Sequence, residues 1–163
     1  MKKTDRLLVA IVAGIVLLVA ATLFLVLRQP TPAYQPENTP EGVAHNYILA
    51  VQTGDYERAY GYLSPTLPGY PADSDAFILA TTRYRWSFRV DEETAVTITG
   101  ATIHDSRATV RAAINQFYND GLFGSGVSTT RFDLQLREEN GVWKITQADR
   151  YWASCWNRLN GCE

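Results

Sequence analysis

The chain opens on an unbroken apolar run and then switches between two hydrophobic periods. Residues 7–27, LLVAIVAGIVLLVAATLFLVL, carry no charged side chain. About 20 residues at roughly 1.5 Å each match the roughly 30 Å hydrocarbon core of a bilayer. A cleaved signal peptide has an apolar region of only about 7–15 residues and ends at a small-residue site. Here Arg28-Gln29-Pro30 follows instead, so a single-pass transmembrane helix is expected over 7–27. Lys2, Lys3 and Arg6 precede the run and a single Arg28 follows it. That asymmetry places residues 1–6 in the cytoplasm and the rest of the chain outside, at the cell membrane. Pro30, Pro32 and Pro36 then mark 28–39 as an extended, proline-rich stalk.

Beyond the stalk the period is helical. Thr39 is placed to cap a helix, with Pro40 at its first position and Glu41 at the positive end of the dipole. Ala44, Tyr47, Ile48 and Val51 fall at i, i+3, i+4 and i+7, one apolar stripe. Gly54 suits a left-handed helix end and Asp55 caps a second helix, whose stripe is Tyr56, Ala59, Tyr60 and Leu63 before Ser64-Pro65. Phe77, Ala80, Thr81 and Tyr84 predict a third helix capped by Ser74.

From Arg85 the period becomes two. Trp86, Phe88 and Val90 alternate with Arg85, Ser87 and Arg89, which predicts a first strand. Further strands are expected over 94–104, 107–117, 128–138 and 142–149. Gly100 shifts the apolar phase of the first of these as a bulge would, and Asn140-Gly141 marks a hairpin turn. One-sided strands of this kind suit an antiparallel sheet covered on one face by helices. The expected class is α+β: the transmembrane helix, then a roll of about three helices on a curved antiparallel sheet of four to five strands. The roll is expected over 40–152, followed by a tail over 153–163.

Charge and cysteine usage add two constraints. Taking Lys2, Lys3, Asp5, Arg6 and Arg28, together +3, from the net −2 of the whole chain leaves an outer domain near −5. Nucleic-acid binding requires a positive surface, so none is expected. The only cysteines, Cys155 and Cys162, flank WNRLNG at the end of the chain. In an oxidising exterior two cysteines this close are expected to form a disulfide. No metal is expected, because neither His45 nor His104 lies near them in sequence.

EGVAHNYILAVQTGDYERAYGYLSP, together with the closing NGVWKITQADRYW, resembles the nuclear transport factor 2-like superfamily, the cystatin-like roll. Within it, the chain resembles extracytoplasmic, membrane-anchored bacterial members of unknown function and the N-terminal domain of some penicillin-binding proteins. The resemblance implies a conical pocket between helices and sheet, used by ketosteroid isomerases and polyketide cyclases to hold an acid or base. No position of this chain matches an isomerase or cyclase motif, so no catalytic residue is carried over, and no cofactor is expected. Such a scaffold has many uses, and its fold does not define its function.

Candidate residues follow from the pattern. Tyr47, Tyr60, Trp86 and Phe88 are placed to floor an apolar pocket, with hydroxyls for orientation. Gln147 and Asp149 share strand parity with Trp143 and Ile145 and are therefore expected at the pocket rim. Leu122 and Phe123, between glycines, are expected either as a lid or as a contact for a partner. His104-Asp105 reads as a turn, since adjacent strand residues point to opposite faces. The leading reading is a membrane-anchored, extracytoplasmic, non-catalytic binding domain for a protein partner or an apolar small molecule. Two alternatives stand beside it: an isomerase- or cyclase-like enzyme using Asp149 or a tyrosine, and a structural domain that forms homodimers in an envelope complex.

Overall fold

The computed structural model describes residues 3–27, 33–88, 94–119 and 125–162. The chain falls into two compact units, Met1–Ala33 and Tyr34–Glu163. In the first, α1 (Lys3–Leu27) is a single helix with exposed apolar side chains. The membrane span expected over 7–27 is corrected: among the described residues no helix is long and apolar enough to cross a membrane. The orientation inferred from Lys2, Lys3 and Arg6 rested on that span.

The second unit begins with a strap. Of the expected stalk over 28–39, residues 28–32 lie outside the described residues, and 34–39 lie within this unit. Buried Asn46 reads the backbone of Gln35 with both ends of its amide, accepting from the Gln35 N–H at 2.7 Å and donating to its carbonyl at 2.8 Å. Arg58 donates to Glu37 and to the Tyr62 hydroxyl, both at 2.9 Å, while its guanidinium covers the Tyr34 ring at 3.6 Å. The hydrogen bonds from Tyr62 and Arg58 hold the Glu37 carboxyl below the usual carboxylate range.

Two helices meet at the predicted break. α2 (Pro40–Thr53) starts where Thr39 Oγ1 accepts from the Gly42 N–H at 3.1 Å, and ends at Gly54 with φ 76°. That left-handed turn suits glycine. Asp55 accepts from the Arg58 N–H to cap α3 (Tyr56–Gly61). α3 stops before Leu63 because the chain turns there to pair with the sheet edge. Ser64 N–H donates to the Ile145 carbonyl and Ile145 N–H to the Tyr62 carbonyl, each at 2.9 Å. A bare edge strand is a liability, and this pairing covers one.

α4 (Ser74–Arg83) is capped by Asp73 rather than Ser74, the Asp73 side chain accepting from the Ala76 N–H at 2.8 Å. The strand expected from Arg85 is corrected: Arg85–Phe88 is a short helix, α5. Residues two apart on a helix lie about 200° apart rather than on one face. Phe88 is accordingly buried while Trp86 is 73 % exposed.

The sheet is a four-stranded antiparallel meander of β1 (Ala95–His104), β2 (Arg107–Asn119), β3 (Ser125–Glu139) and β4 (Val142–Ala148), in the order β1-β2-β3-β4. A bulge lies between Ile98 and Gly100. Asp105 turns the first hairpin at φ 52°, and Asn140 and Gly141 turn the last at φ 54° and 80°. Val110, Ala112, Ile114, Phe132, Leu134, Leu136 and Ile145 face the helices and form the core with Val43, Tyr47 and Val51 of α2. Full burial of a Val, Leu, Ile or Phe side chain contributes about 1.5–3 kcal/mol.

Candidate functional site

Among the described residues, aromatic side chains pack into the cone between helices and sheet. Tyr47 enters it from α2, fully buried, and its hydroxyl donates to the Tyr151 carbonyl at 2.5 Å. Burial pushes the Tyr47 phenol well above its ordinary pKa. Tyr151 occupies the same space, its ring 5.9 Å from that of Phe132 and its hydroxyl accepting from Gln52 Nε2 at 3.2 Å. Tyr151 adopts φ 56°, rare for a bulky side chain, and bonds on several sides hold it there. Its N–H donates to the Ser87 carbonyl at 2.9 Å, and the neighbouring Trp152 carbonyl accepts from Ser87 Oγ at 2.8 Å. Phe77 and Phe88 complete the plug with Trp156.

The six expected pocket residues do not converge. Tyr47 and Phe88 are packed in the core. Tyr60 is half-buried beyond it, 5.2 Å ring to ring from Tyr70, its hydroxyl donating to the Pro71 carbonyl at 3.2 Å. Trp86 points to solvent. Gln147 and Asp149 are exposed rather than at a pocket rim. The β3–β4 register explains the last two: Leu136 pairs with Ile145, yet Gln135 pairs with Gln147, so a bulge resets the alternation and Ala148 turns inward instead. Asp149 then extends the ladder, its carboxylate accepting from the Asp133 N–H at 3.1 Å. Leu122 and Phe123 lie outside the described residues.

An open groove lies between α4 and the C-terminal loop. Cys155 and Cys162 are joined in a disulfide across a Cα separation of 4.9 Å. Within the loop they close, the 3-10 turn Ser154–Asn157 drives Trp156 inward, where it stacks on Phe77 at 5.3 Å and meets Trp152 edge-on at 4.8 Å. The loop docks on Gly69, whose N–H donates to the Trp156 carbonyl at 2.9 Å. A Cβ at Gly69 would sit 2.4 Å from the Cys155 carbonyl oxygen, so the approach requires glycine. Between these walls lies a groove of about 400 Å³, lined by Tyr70, Ala76, Leu79, Ala80, Arg83, Trp156 and the turn of Asn160 to Cys162. Arg83, from the last turn of α4, donates to the Cys162 carbonyl. Burial, with a hydrogen bond to Tyr60, pushes the Tyr70 phenol up.

One polar atom in this region stands out. The Trp152 indole donates to Asn157 Oδ1 at 2.9 Å. The Trp156 Nε1–H is buried and has no acceptor among the described residues. Periodicity could not single out Trp156, because it lies in a non-repeating tail. The available signal was a tryptophan inside a seven-residue disulfide spacing.

Two polar clusters serve other ends. Ser64 donates to Glu139 at 2.7 Å, and Arg137 pairs with the same carboxylate at 2.6 Å. Although burial opposes its charge, these partners hold Glu139 below the usual carboxylate range. A polar hollow of about 260 Å³ lies on the outward sheet face between Arg107, Thr109, Gln135, Arg137 and Thr146. Among the described residues no group of three or more His, Cys, Asp or Glu is placed to hold a metal ion.

No protein-family model and no curated protein matches the chain. Solved structures do. An NTF2-like protein of unknown function from Shewanella oneidensis is 14 % identical, with 65 % of this chain and 90 % of that one covered, at a TM-score of 0.42. An NTF2-like protein with a cystatin-like fold from Novosphingobium aromaticivorans is 19 % identical over 80 % and 84 % of the two chains, at 0.42. A protein with a ketosteroid isomerase-like fold from Catenulispora acidiphila, solved with trimethylamine, is 17 % identical over 72 % and 88 %, at 0.40. The nuclear transport factor 2-like resemblance read from the sequence is thus also found among solved structures, as a likeness of fold.

Proposed function

We propose that the chain is a non-catalytic binding domain and that it binds a small apolar molecule in the groove beside α4. The observation that carries this reading is the difference in filling among the described residues: aromatic rings pack into the cone, whereas about 400 Å³ stays open between α4 and the disulfide loop. That volume lies in the range of small-molecule sites, roughly 300–1,000 Å³. Tyr70, Ala76, Leu79 and Ala80 give it an apolar lining. An isomerase-like reading needs a proton acceptor in the cone. Tyr47, an ionisable side chain at its centre, stays protonated at neutral pH and is already bonded to Tyr151. A dimer through the sheet would rest on its outward face, where Thr99, Arg111, Arg131 and Asp133 are exposed.

The Cys155–Cys162 bond further supports an oxidising compartment as the place of action. Native mass spectrometry of the full chain from its own host, kept non-reducing, tests the binding reading. A retained small-molecule mass is expected, and it should be absent from an Ala76→Trp variant that fills the groove. Recovery of only the bare chain mass would contradict the reading.

A further inference from the structure

The outward face of the sheet carries an alignment of cations. In register, His104 of β1 stands opposite Arg107 of β2, Arg107 opposite Arg137 of β3, and Arg137 opposite Lys144 of β4. Residues directly opposite in an antiparallel pair share a face, and like charges so placed repel. Three cations therefore cross neighbouring strands in one row, in a chain whose net charge is −2. The neighbouring row, Thr102, Thr109, Gln135 and Gln147, is uncharged and consists of hydroxyls and amides.

The three cations are not equally engaged. Lys144 Nζ donates to the Gly61 carbonyl. Arg137 gives Nε and Nη2 to the Glu139 carboxylate, at 3.0 and 2.6 Å, and also bonds Thr66. These contacts use part of a fork that carries five donors. Arg107 is exposed, and among the described residues its side chain has neither a hydrogen bond nor an ion pair. The polar hollow of about 260 Å³ lies here, with Arg107, Thr109, Gln135, Arg137 and Thr146 in its lining. Each of these side chains can donate a hydrogen bond. Among the described residues, which include all of 94–119 and 125–162, the lining holds no carboxylate. Glu139, two residues along β3, is engaged by Arg137 and Ser64.

We infer that this hollow binds a tetrahedral oxyanion, free or borne on a small molecule as a phosphate ester. Arg107 pairs with its charge, Arg137 shares it from the opposite strand, and Thr109 and Gln135 donate to its oxygens. Planar guanidinium forks match such oxygens. An anion between Arg107 and Arg137 offsets their repulsion, so filling the site stabilises the folded chain. The hollow is separate from the groove beside α4, and the two share no lining residue.

The test titrates sodium phosphate into the full chain at neutral pH, with sodium chloride at matched ionic strength as the control. Binding is followed by 15N–1H NMR at the Thr109 and Gln135 amides and at Arg107 Nε–H. Saturable shifts are expected with phosphate and not with chloride. Arg107→Gln should weaken phosphate binding by about tenfold, the worth of a charge-assisted contact. Arg107→Lys should keep part of it, as a charge without the fork. Arg131→Gln, on the same face away from the hollow, should keep all of it. Phosphate should raise the urea midpoint of the unsubstituted chain more than that of Arg107→Gln. A tighter hold on glycerol 3-phosphate than on phosphate would support the site as one for esters, and the reverse as one for the free ion. Shifts that chloride reproduces, phosphate binding that survives Arg107→Gln, or an equal loss in Arg131→Gln would overturn the site.

Discussion

Two aromatic regions meet at Phe77 and Trp156, and they are built to different ends. In the cone every hydroxyl named above has a partner: Tyr47 reaches the Tyr151 carbonyl, and Tyr151 is reached by Gln52. Beside the groove, the buried Trp156 N–H has no acceptor among the described residues. A buried, unsatisfied donor costs about 1–3 kcal/mol. The cone uses its aromatic residues for packing, and the groove retains an open volume. On the proposed reading, stability resides in the first region and recognition in the second.

The largest expected effect comes from the residue both regions share. Phe77 is fully buried and touches Tyr56, Tyr60, Phe88 and Trp156. Phe77→Ala should destabilise the folded chain by about 3–5 kcal/mol, read as a lowered urea midpoint, and should disturb cone and groove together. Removing the disulfide with Cys155→Ser and Cys162→Ser should cost about 2.5 kcal/mol by loop-closure entropy. It should disturb the groove far more than the cone, so ligand binding should fall further than stability does.

Tyr47→Phe sharpens the contrast from the other side. It strands the Tyr151 carbonyl in the core and should cost about 1–2 kcal/mol, while binding in the groove stays unchanged. The smallest effect expected is electrostatic and belongs to the strap. Glu37 has a folded pKa below its unfolded one, so its contribution is present above the unfolded value of about 4.3 and is lost as pH falls through the folded value. Glu37→Gln should therefore reduce stability at pH 7 slightly, and flatten the decline below about pH 4.3 in urea midpoints measured across pH.

The elements whose signals are local were legible in the sequence. Thr39 capping α2, Gly54 ending it, Asp55 starting α3 and the Asn140-Gly141 turn all depend on a few neighbouring residues. What was not legible depended on distant partners. Trp86 and Phe88 alternate as a strand would, but Arg85–Phe88 folds as a turn of helix whose end bonds to the Tyr151 segment. Gln147 and Asp149 left the pocket rim through one bulge against β3, and no feature of their own strand announces it. α3 ended early because Leu63 and Ser64 found the edge of β4. The groove is the extreme case, since its walls come from residues 69–83 and 156–162 and exist only once the disulfide loop docks.

The most direct measurement is a crystal structure of the full chain soaked with 3-phenylpropionate. The account predicts ligand density in the groove, with its ring beside Tyr70 and Leu79. Density in contact with Tyr47 inside the cone, or a groove left empty at saturating ligand, would contradict it.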